Sequence, residues 1–446
     1  MSDLGLVTGW GGNPRARTHL VTAETIEDLT AAIAGQKGNT RGLIARGLGR
    51  SYGDAAQRSG GTTVEICLTG EPEWVDHAGG LLRAPSGLSI GDLIRFADSA
   101  GLFVPVTPGT RHVTVGGAIA ADIHGKDHHA VGSFGMHVER FRMIIANGDF
   151  VEVDLALDPD LFHATIGGMG LTGLIVDADI RMSSVSGNRV AVDTLRTKDL
   201  EATLAALAES ESSHRYSVAW IDLSRTGAAM GRGVVTNGNH VETEFDGEPL
   251  REPKASVPRI WRLNVVNKAT VSAFNEMWFR KAPRRPRRSV QSYDSFFYPL
   301  DAVGDWNRVY GRNGFLQYQF VLPFESAGHL PGLAESLATG PTPASFAVLK
   351  GLGHGSGGFL SFPTPGWTLA VDIPIPSTPS VLEQHLRKVD EALVEAGGRI
   401  YLAKDSRLRA DLMTAMYPQL DMFEKVRRNV DPDQMLRSDL SVRLGI

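Results

Sequence analysis

Ile26, Leu29 and Ile33 recur at helical spacing behind threonines able to cap, which predicts a helix within Thr22–Ala34. Leu43-Ile44-Ala45 is a short continuous apolar run of the kind a buried strand makes. It leads directly into Arg46-Gly47-Leu48-Gly49-Arg50-Ser51-Tyr52-Gly53-Asp54. Val64–Leu68 and Leu81–Ala84 alternate as strands, and Ser89 with Asp92 marks a capped start for a helix carrying Leu93, Ile94 and Ala97. A second glycine-rich stretch fills Val104–Gly135, after which the pattern is helical over Asp158–Thr165 and strand-like over Leu174–Met182. Short strands with glycine-rich connections give this section an α+β rhythm.

The texture changes near Ser184–Asn188. Longer strand patterns follow at Tyr216–Leu223, Phe315–Pro323 and Trp367–Ile375. Ser380–Ala396 is helical, with Leu382, Leu386, Val389, Leu393 and Val394 on one face and Gly397 placed to end it. Arg399–Lys404 reads as a strand entering a helical tail. The pattern predicts a second α+β unit built on an antiparallel sheet, with no repeat at solenoid or propeller periods.

Composition changes this picture in three places. Glycine supplies 50 of 446 residues, well above the usual ~7%. With Lys plus Arg at 45 and Asp plus Glu at 50, the net charge of −5 argues against nucleic-acid binding. The single cysteine, Cys67, excludes an intrachain disulfide framework and a cysteine-rich zinc or iron–sulfur centre. Met1–Arg15 lacks a signal-like basic start and apolar core, and no window approaches the roughly 20 apolar residues of a spanning helix. The expected location is cytoplasmic or peripheral at the cell membrane.

The candidate chemistry lies in loops. Gly168-Gly170-Gly173 and Gly353-Gly355-Gly358 match G-x-G-x-x-G, but a dinucleotide fingerprint needs a strand before and a helix after. The first has the reverse order, and Phe359–Pro363 after the second is not helical, so neither supports a Rossmann NAD site. The loop 46–54 does more: three glycines beside Arg46, Arg50 and Ser51 can turn several backbone N–H groups onto one anion, whereas an ordinary tight turn needs one glycine. Pro108-Gly109-Thr110 and Thr114-Val115-Gly116-Gly117 repeat the device, and two such loops suit a diphosphate between them. His124 and His128 have the spacing of a helical metal pair, yet Gly125 weakens a helix and the Glu of H-E-x-x-H is missing, so no metal is expected. A His and a Lys facing a cofactor or substrate anion, or a solvated polar turn, are the other readings. Arg280–Arg288 holds six cations in nine residues and two prolines against a regular helix; it reads equally as a solvated loop or as an anion or membrane contact, with Phe274, Trp278 and Phe279 as interfacial anchors. Lys350 and Lys404 end apolar strand patterns, where a lysine is usually a snorkelling surface residue.

These stretches together resemble the vanillyl-alcohol-oxidase-type FAD-binding flavoproteins, and within them the decaprenylphosphoryl-β-D-ribose 2′-oxidase family. The carriers are I-A-R-G-L-G-R-S-Y-G-D, P-G-T-R-H-V-T-V-G-G-A-I-A, I-H-G-K-D-H-H, G-S-F-G, G-G-M-G-L-T-G, F-L-Q-Y-Q-F-V, L-S-F-P-T-P-G-W and Y-L-A-K-D-S-R. They span nearly the whole chain in order and are weakest over 185–290, where Ala219-Trp220-Ile221-Asp222 and Trp278 carry the likeness.

The resemblance implies a two-domain α+β oxidase: an FAD domain from 1–187 and 399–446, and an antiparallel-sheet substrate domain at 188–398. FAD would be held by Ala45, Arg46, Gly47, Leu48, Gly49, Arg50, Ser51, Tyr52, Gly53, Asp54 and Ala55, and by Gly109, Thr114, Val115, Gly116 and Gly117. His124, Gly125, Lys126, Asp127, Ile175 and Tyr401 would join them, with Lys404 beside the flavin's N1/C2 edge stabilising the charge of reduced flavin. That reading replaces the snorkelling one for Lys404. Gln319, Lys350, Trp220 and Ala370 would face substrate. The implied reaction moves hydride from C2′ of a polyprenylphosphoryl ribose to flavin, leaving a 2′-keto sugar for an NAD-dependent short-chain reductase partner to return in the arabinose configuration. His124, Lys126, Tyr52 and solvent all qualify as the base. The basic run 280–288 would suit lipid phosphate or membrane. In many superfamily members a histidine of the first loop bonds the flavin; Arg50 stands there, which implies non-covalent FAD. Mycobacterial members carry a reactive pocket cysteine where this chain has Ala370. The alternatives are a related oxidase of another sugar, polyol or aldonolactone, and a non-catalytic flavin-carrying or membrane-associated subunit.

Overall fold

The computed structural model describes residues 4–36, 38, 40–243, 245, 250–253 and 255–446. The chain opens with a four-stranded sheet in the order Leu4–Thr8, Arg15–Ala23, Thr62–Ile66, Leu43–Arg46. A five-stranded antiparallel sheet follows, ordered Glu73–Asp76, Leu81–Pro85, Leu174–Arg181, Val138–Ile144, Phe150–Asp154. The first helix is Ile26–Ala34, shorter than the pattern predicted, because Thr22 is paired with Glu65 in a parallel ladder and Thr25 is the residue that caps. Thr25 and Asp28 form a reciprocal capping box. Ser89 caps Ile90–Asp98 through the Asp92 amide, as the spacing indicated.

The second unit is an eight-stranded sheet ordered 287–292, 189–197, 233–241, 216–221, 346–352, 366–374, 315–323, 399–400. Alternation along the central strands decides which residues can act. Leu316, Tyr318 and Phe320, Ala347 and Leu349, and Leu369 and Val371 point into the core with the helices Leu200–Ser210, Leu330–Ala338 and Pro379–Glu395. Gln317 and Gln319, Phe346, Val348 and Lys350, and Thr368 and Ala370 point the other way and line one wall of a cavity.

Three expectations change. The strand predicted over Arg399–Lys404 is only Arg399–Ile400, after which Lys404 N–H turns back onto Tyr401 O, so Lys404 sits on a turn. Those two strand residues pair with Val321 and Phe320, so the division expected at 398 cuts a strand from its sheet. The run 280–288 is not one loop: Arg280 and Lys281 end the helix Lys268–Lys281, and Arg287–Ser292 is an edge strand. The prolines break the helix only beyond Lys281. The C-terminal tail returns to the first unit, where Arg437 N–H donates to Leu43 O and Arg443 grips Asp54 with two bonds of 2.9 Å.

Asp122 holds the two units together. It is fully buried at φ +40°, and its carboxylate accepts from Ser133 Oγ at 2.8 Å, Gly135 N at 2.9 Å and Ser356 Oγ at 2.6 Å, with Ser361 Oγ as a fourth donor. Ser356 and Ser361 belong to the connection between the strands 346–352 and 366–374, so one carboxylate of the first unit pins a loop of the second.

Candidate active site

A cavity of about 1840 Å³, open mouth included, lies between the glycine loops and the exposed face of the eight-stranded sheet. Its first wall is Ala45, Gly47–Tyr52 and Ala55 from the loop after the strand Leu43–Arg46, with Gly109, Thr114, Gly116 and Gly117 facing them. The two loops meet closely: a Cβ on Gly47 would stand 2.3 Å from Thr114 Oγ1, the atom that caps the helix Val115–Ala120 by accepting from Gly117 N. Only glycine permits this approach. A Cβ at Gly109, by contrast, would meet nothing within 4 Å. Ile175 and Tyr401 also line the cavity, and Tyr401 is fixed by its hydroxyl on Ala121 O at 2.7 Å and by stacking on Phe362.

Arg46, Gly53, Asp54, Val115, Gly125, Lys126, Asp127 and Trp220 are not among the lining residues. Arg46 braces the loop from behind, donating to Thr8 O at 2.9 Å and Ala56 O at 3.2 Å. Gly53 packs against Asp405, whose carbonyl oxygen would be 1.8 Å from a Cβ there. Asp54 is committed to Arg443. Lys126 turns away: its Nζ donates to Phe296 O and lies 4.3 Å from the Phe296 ring centroid. Trp220 pairs with Val348 in the sheet, and its buried Nε1 has no hydrogen-bond partner among the described residues.

At one end of the cavity, two half-buried lysines converge. Lys404 Nζ sits 3.7 Å from the centroid of the Tyr52 ring. Burial lowers Lys404 to about 7, opposed by Asp372. Burial carries Asp372 up to about 7 although Gln317 donates to it at 2.6 Å. The Tyr52 phenol is pushed well above 10 by burial and then by Asp372, so it is neutral. Lys350 Nζ lies 3.1 Å from His124 Nδ1 and donates to Gly125 O at 3.2 Å; burial lowers it to about 8. Gln319 Nε2 lies 2.9 Å from His124 Nε2. His124 itself is held well below the usual range by burial and then by Lys350.

A neutral imidazole has one donor and one acceptor nitrogen, so His124 cannot accept from both neighbours. Two arrangements pair His124 with both neighbours. With Lys350 cationic, Nδ1 accepts and Nε2–H donates to the Gln319 carbonyl, its amide turned over. With Lys350 neutral, its lone pair accepts from Nδ1–H, and Nε2 accepts from the Gln319 amide. The Lys350–His124 contact therefore persists with one proton more or one proton fewer, and the second arrangement also keeps the Gln319 Nε2 bond to Thr368 Oγ1 at 3.2 Å, a hydroxyl that itself donates to Phe320 O.

Reasoning from sequence missed Trp10, Trp306, Leu300, Asp301, Gln317 and Phe346, all of which line the cavity. The signal for Trp10 was the flanking glycines: a Cβ on Gly9 would be 2.2 Å from Gly53 O, and one on Gly11 2.4 Å from Phe315 O. Trp10 carries the Arg50 guanidinium 3.9 Å above its ring and meets Trp306 edge-on at 5.9 Å. Among the described residues, no group of three or more His, Cys, Asp or Glu side chains could hold a metal.

The FAD binding domain model matches residues 18–154, and the model of D-arabinono-1,4-lactone oxidase matches 373–444. The chain is 38% identical over 450 residues to decaprenylphosphoryl-beta-D-ribose oxidase of Mycolicibacterium smegmatis, covering 98% of this chain and 97% of that protein. An uncharacterized Streptomyces coelicolor protein is 34% identical over 78% of this chain and 96% of its own length. The Delta(24)-sterol reductase of Rattus norvegicus is 31% identical over 108 residues, 24% of this chain and 21% of its own. The residues present fit FAD: facing glycine loops leave backbone free toward the cavity, and Lys404, Lys350 and His124 concentrate donors and positive charge at one end.

Proposed function

The chain belongs to the FAD-dependent decaprenylphosphoryl-β-D-ribose oxidase family, and on that premise we propose that it oxidises the 2′-hydroxyl of a polyprenylphosphoryl-β-D-ribose to the 2′-keto sugar. This is the first half of a 2′-epimerisation that yields an arabinose donor for cell-wall arabinan. The observation that carries the reading is the joining of Lys350, His124 and Gln319 on the substrate wall of the FAD-binding cavity, with Lys404 at the same end.

When bound, FAD supplies the two-electron acceptor for the hydride leaving C2′. The protein's own residues supply the rest. Neutral Lys350, or His124 coupled to it, takes the hydroxyl proton as the C–H bond breaks. Lys404, held against Tyr52, places a positive charge where charge accumulates. Tyr52 stays protonated and orients, and Lys126 is committed to Phe296 O, so neither is the base. Gly47–Ser51, Gly109, Thr114, Gly116 and Gly117 hold the cofactor by backbone, with Arg46, Gly53 and Asp54 bracing the first loop from outside the cavity. Arg50 occupies the position of a flavin-linking histidine, so the cofactor is held without a covalent bond.

The partners in this reading are an NAD-dependent short-chain reductase that returns hydride, and the membrane that presents the lipid-linked sugar near the basic run 280–288. No described helix is long and apolar enough to cross a membrane. The match at 373–444 to D-arabinono-1,4-lactone oxidase favours one second reading, oxidation of an aldonolactone, free sugar or polyol. Anaerobic titration separates the two. Bleaching of the flavin absorbance by polyprenylphosphoryl ribose, and not by ribose, arabinitol or arabinono-lactone, is the expected result; bleaching by the free compounds alone refutes the proposal.

A further inference from the structure

The strongest unpartnered chemistry lies outside the cavity, on the segment 258–288. Ile260 is 85% exposed, Leu263 69% and Met277 58%, and Trp261, Val265, Phe274 and Trp278 are exposed beside them. Neighbouring exposed apolar side chains in this number mark an interaction surface. On the helix Lys268–Lys281, Phe274, Met277, Trp278 and Lys281 fall at i, i+3, i+4 and i+7, which makes one stripe. The adjoining face meets the protein, where Val271 and Asn275 are buried and Asn275 Nδ2 donates to Asp222 at 2.8 Å. The Phe274 and Trp278 rings stack at 6.2 Å, and Lys281 Nζ lies 5.5 Å from the Trp278 centroid.

The same segment carries nine Lys and Arg residues and one acid, Glu276. That acid is already taken by Arg225, Arg232 and Arg280 at 2.9, 2.6 and 2.6 Å. Arg288 is held by Asp193, but among the described residues no carboxylate pairs with Arg284, Arg285 or Arg287. The apolar tips are mounted on fixed backbone: Val265 N–H donates to Val309 O at 3.1 Å, Arg308 to Val257 O at 2.8 Å, and Thr270 Oγ1 to Val265 O at 2.7 Å. The stretch 303–310 that anchors them also carries Trp306 into the cavity wall, so this surface adjoins the Trp306 end of the cavity.

We propose that 258–288 is a docking face for an anionic lipid bilayer. Ile260, Leu263, Phe274, Met277 and Trp278 enter the interfacial layer, and Arg284, Arg285 and Arg287 meet lipid phosphates. Charge decides the occupant. A second copy of this chain, packed face to face, would set one cationic surface against another. Apolar tips with aromatic rings beside unpaired cations match the layered chemistry of a negatively charged leaflet. The inference names the surface that meets the membrane of the proposed function, and it rests on that reading for the identity of the substrate drawn from the leaflet.

The test uses the FAD-loaded full chain and sedimentation with vesicles, in the absence of sugar. Vesicles of phosphatidylcholine with phosphatidylglycerol should pellet the protein, high salt should release it, and phosphatidylcholine alone should not. The variant I260S/L263S/M277S and the variant R284E/R285E/R287E should each weaken binding about tenfold or more. Both should keep their yellow colour and wild-type flavin bleaching by a short-chain, water-soluble polyprenylphosphoryl ribose. Absence of wild-type pelleting, equal pelleting with neutral vesicles, unaltered binding by both variants, or a concentration-dependent dimer lost in the variants overturns the proposal. Vesicle binding by a protein whose flavin only free sugars bleach would leave the docking face standing and refute the substrate reading instead.

Discussion

Replacing Asp122 tests how the cavity is kept closed. Its carboxylate is the common acceptor for Ser133 Oγ, Gly135 N, Ser356 Oγ and Ser361 Oγ, all in a fully buried position. Four donors onto two oxygens favour the ionised form, and burial, which raises its pKa, is opposed by those same bonds from Ser356, Ser361, Gly135 and Ser133. Asp122→Ala removes every acceptor at once. The hydroxyls can rotate toward other acceptors, but the Gly135 N–H cannot, and an orphaned buried donor costs about 1–3 kcal/mol. Loss of charge-assisted bonds from three hydroxyls adds about 1 kcal/mol or more. The φ of +40°, which Asp tolerates better than Ala, adds roughly 1 kcal/mol. The expected destabilisation is about 3–5 kcal/mol. Asp122→Asn keeps one carbonyl acceptor and the tolerance for positive φ, and its amide can donate to a serine oxygen, so its cost should be about 1–2 kcal/mol. The assay is urea unfolding of the apo-proteins by tryptophan fluorescence, with proteolysis of the loop 353–361 followed in parallel. A cost for Asp122→Ala below about 1 kcal/mol, or equal to that of Asp122→Asn, would refute the clamp.

The remaining predictions concern the cavity. Because Lys350 must be neutral to accept a proton and burial lowers it to about 8, kcat/KM for the lipid-linked sugar should rise with pH through that value. Lys350→Met should lower kcat by about 10²–10⁴-fold and abolish that rise in pre-steady-state bleaching; an unchanged profile would assign the base elsewhere. Gly47→Ala drives a methyl into Thr114 Oγ1 and costs the cap of the following helix, so the FAD Kd should rise about tenfold or more in equilibrium dialysis. Acid precipitation should leave the flavin in the supernatant, and yellow colour retained in the pellet would contradict Arg50 as a non-bonding residue. Ala370 faces the cavity between Gln319 and Val348, so Ala370→Cys should create a thiol that FAD-pocket electrophiles label, whereas wild-type protein should be labelled only at exposed Cys67.

Local pattern was legible wherever a short-range rule governs. The Ser89 cap, the strand Phe315–Pro323 and the glycine loops at 47–53 and 109–117 follow from spacing and from the absence of Cβ atoms, and each sits where those rules put it. Neighbouring positions within a motif were harder. In His124-Gly125-Lys126-Asp127 the sequence offers two cations side by side, yet only His124 reaches the cavity while Lys126 is committed to Phe296, 170 residues away. Lys350 reads as a strand-end lysine with a solvated head, and becomes a half-buried neighbour of His124 only because two separate units close on one another.

The sequence by itself determined the glycine loops that wall the cavity, the α+β class and the family, because each is written in contiguous residues: glycine spacing, apolar period and motif order. Tertiary structure alone decided which lysines line the cavity, that Trp10 and Trp306 belong to its wall, and that the basic run is split between a helix end and an edge strand. The reason is physical. A side chain's charge state and reach depend on what buries it, and for Lys350, Lys404 and Asp122 those neighbours come from distant segments: His124 is 226 residues from Lys350, Ser361 is 239 residues from Asp122, and Tyr52 meets Lys404 from the first glycine loop.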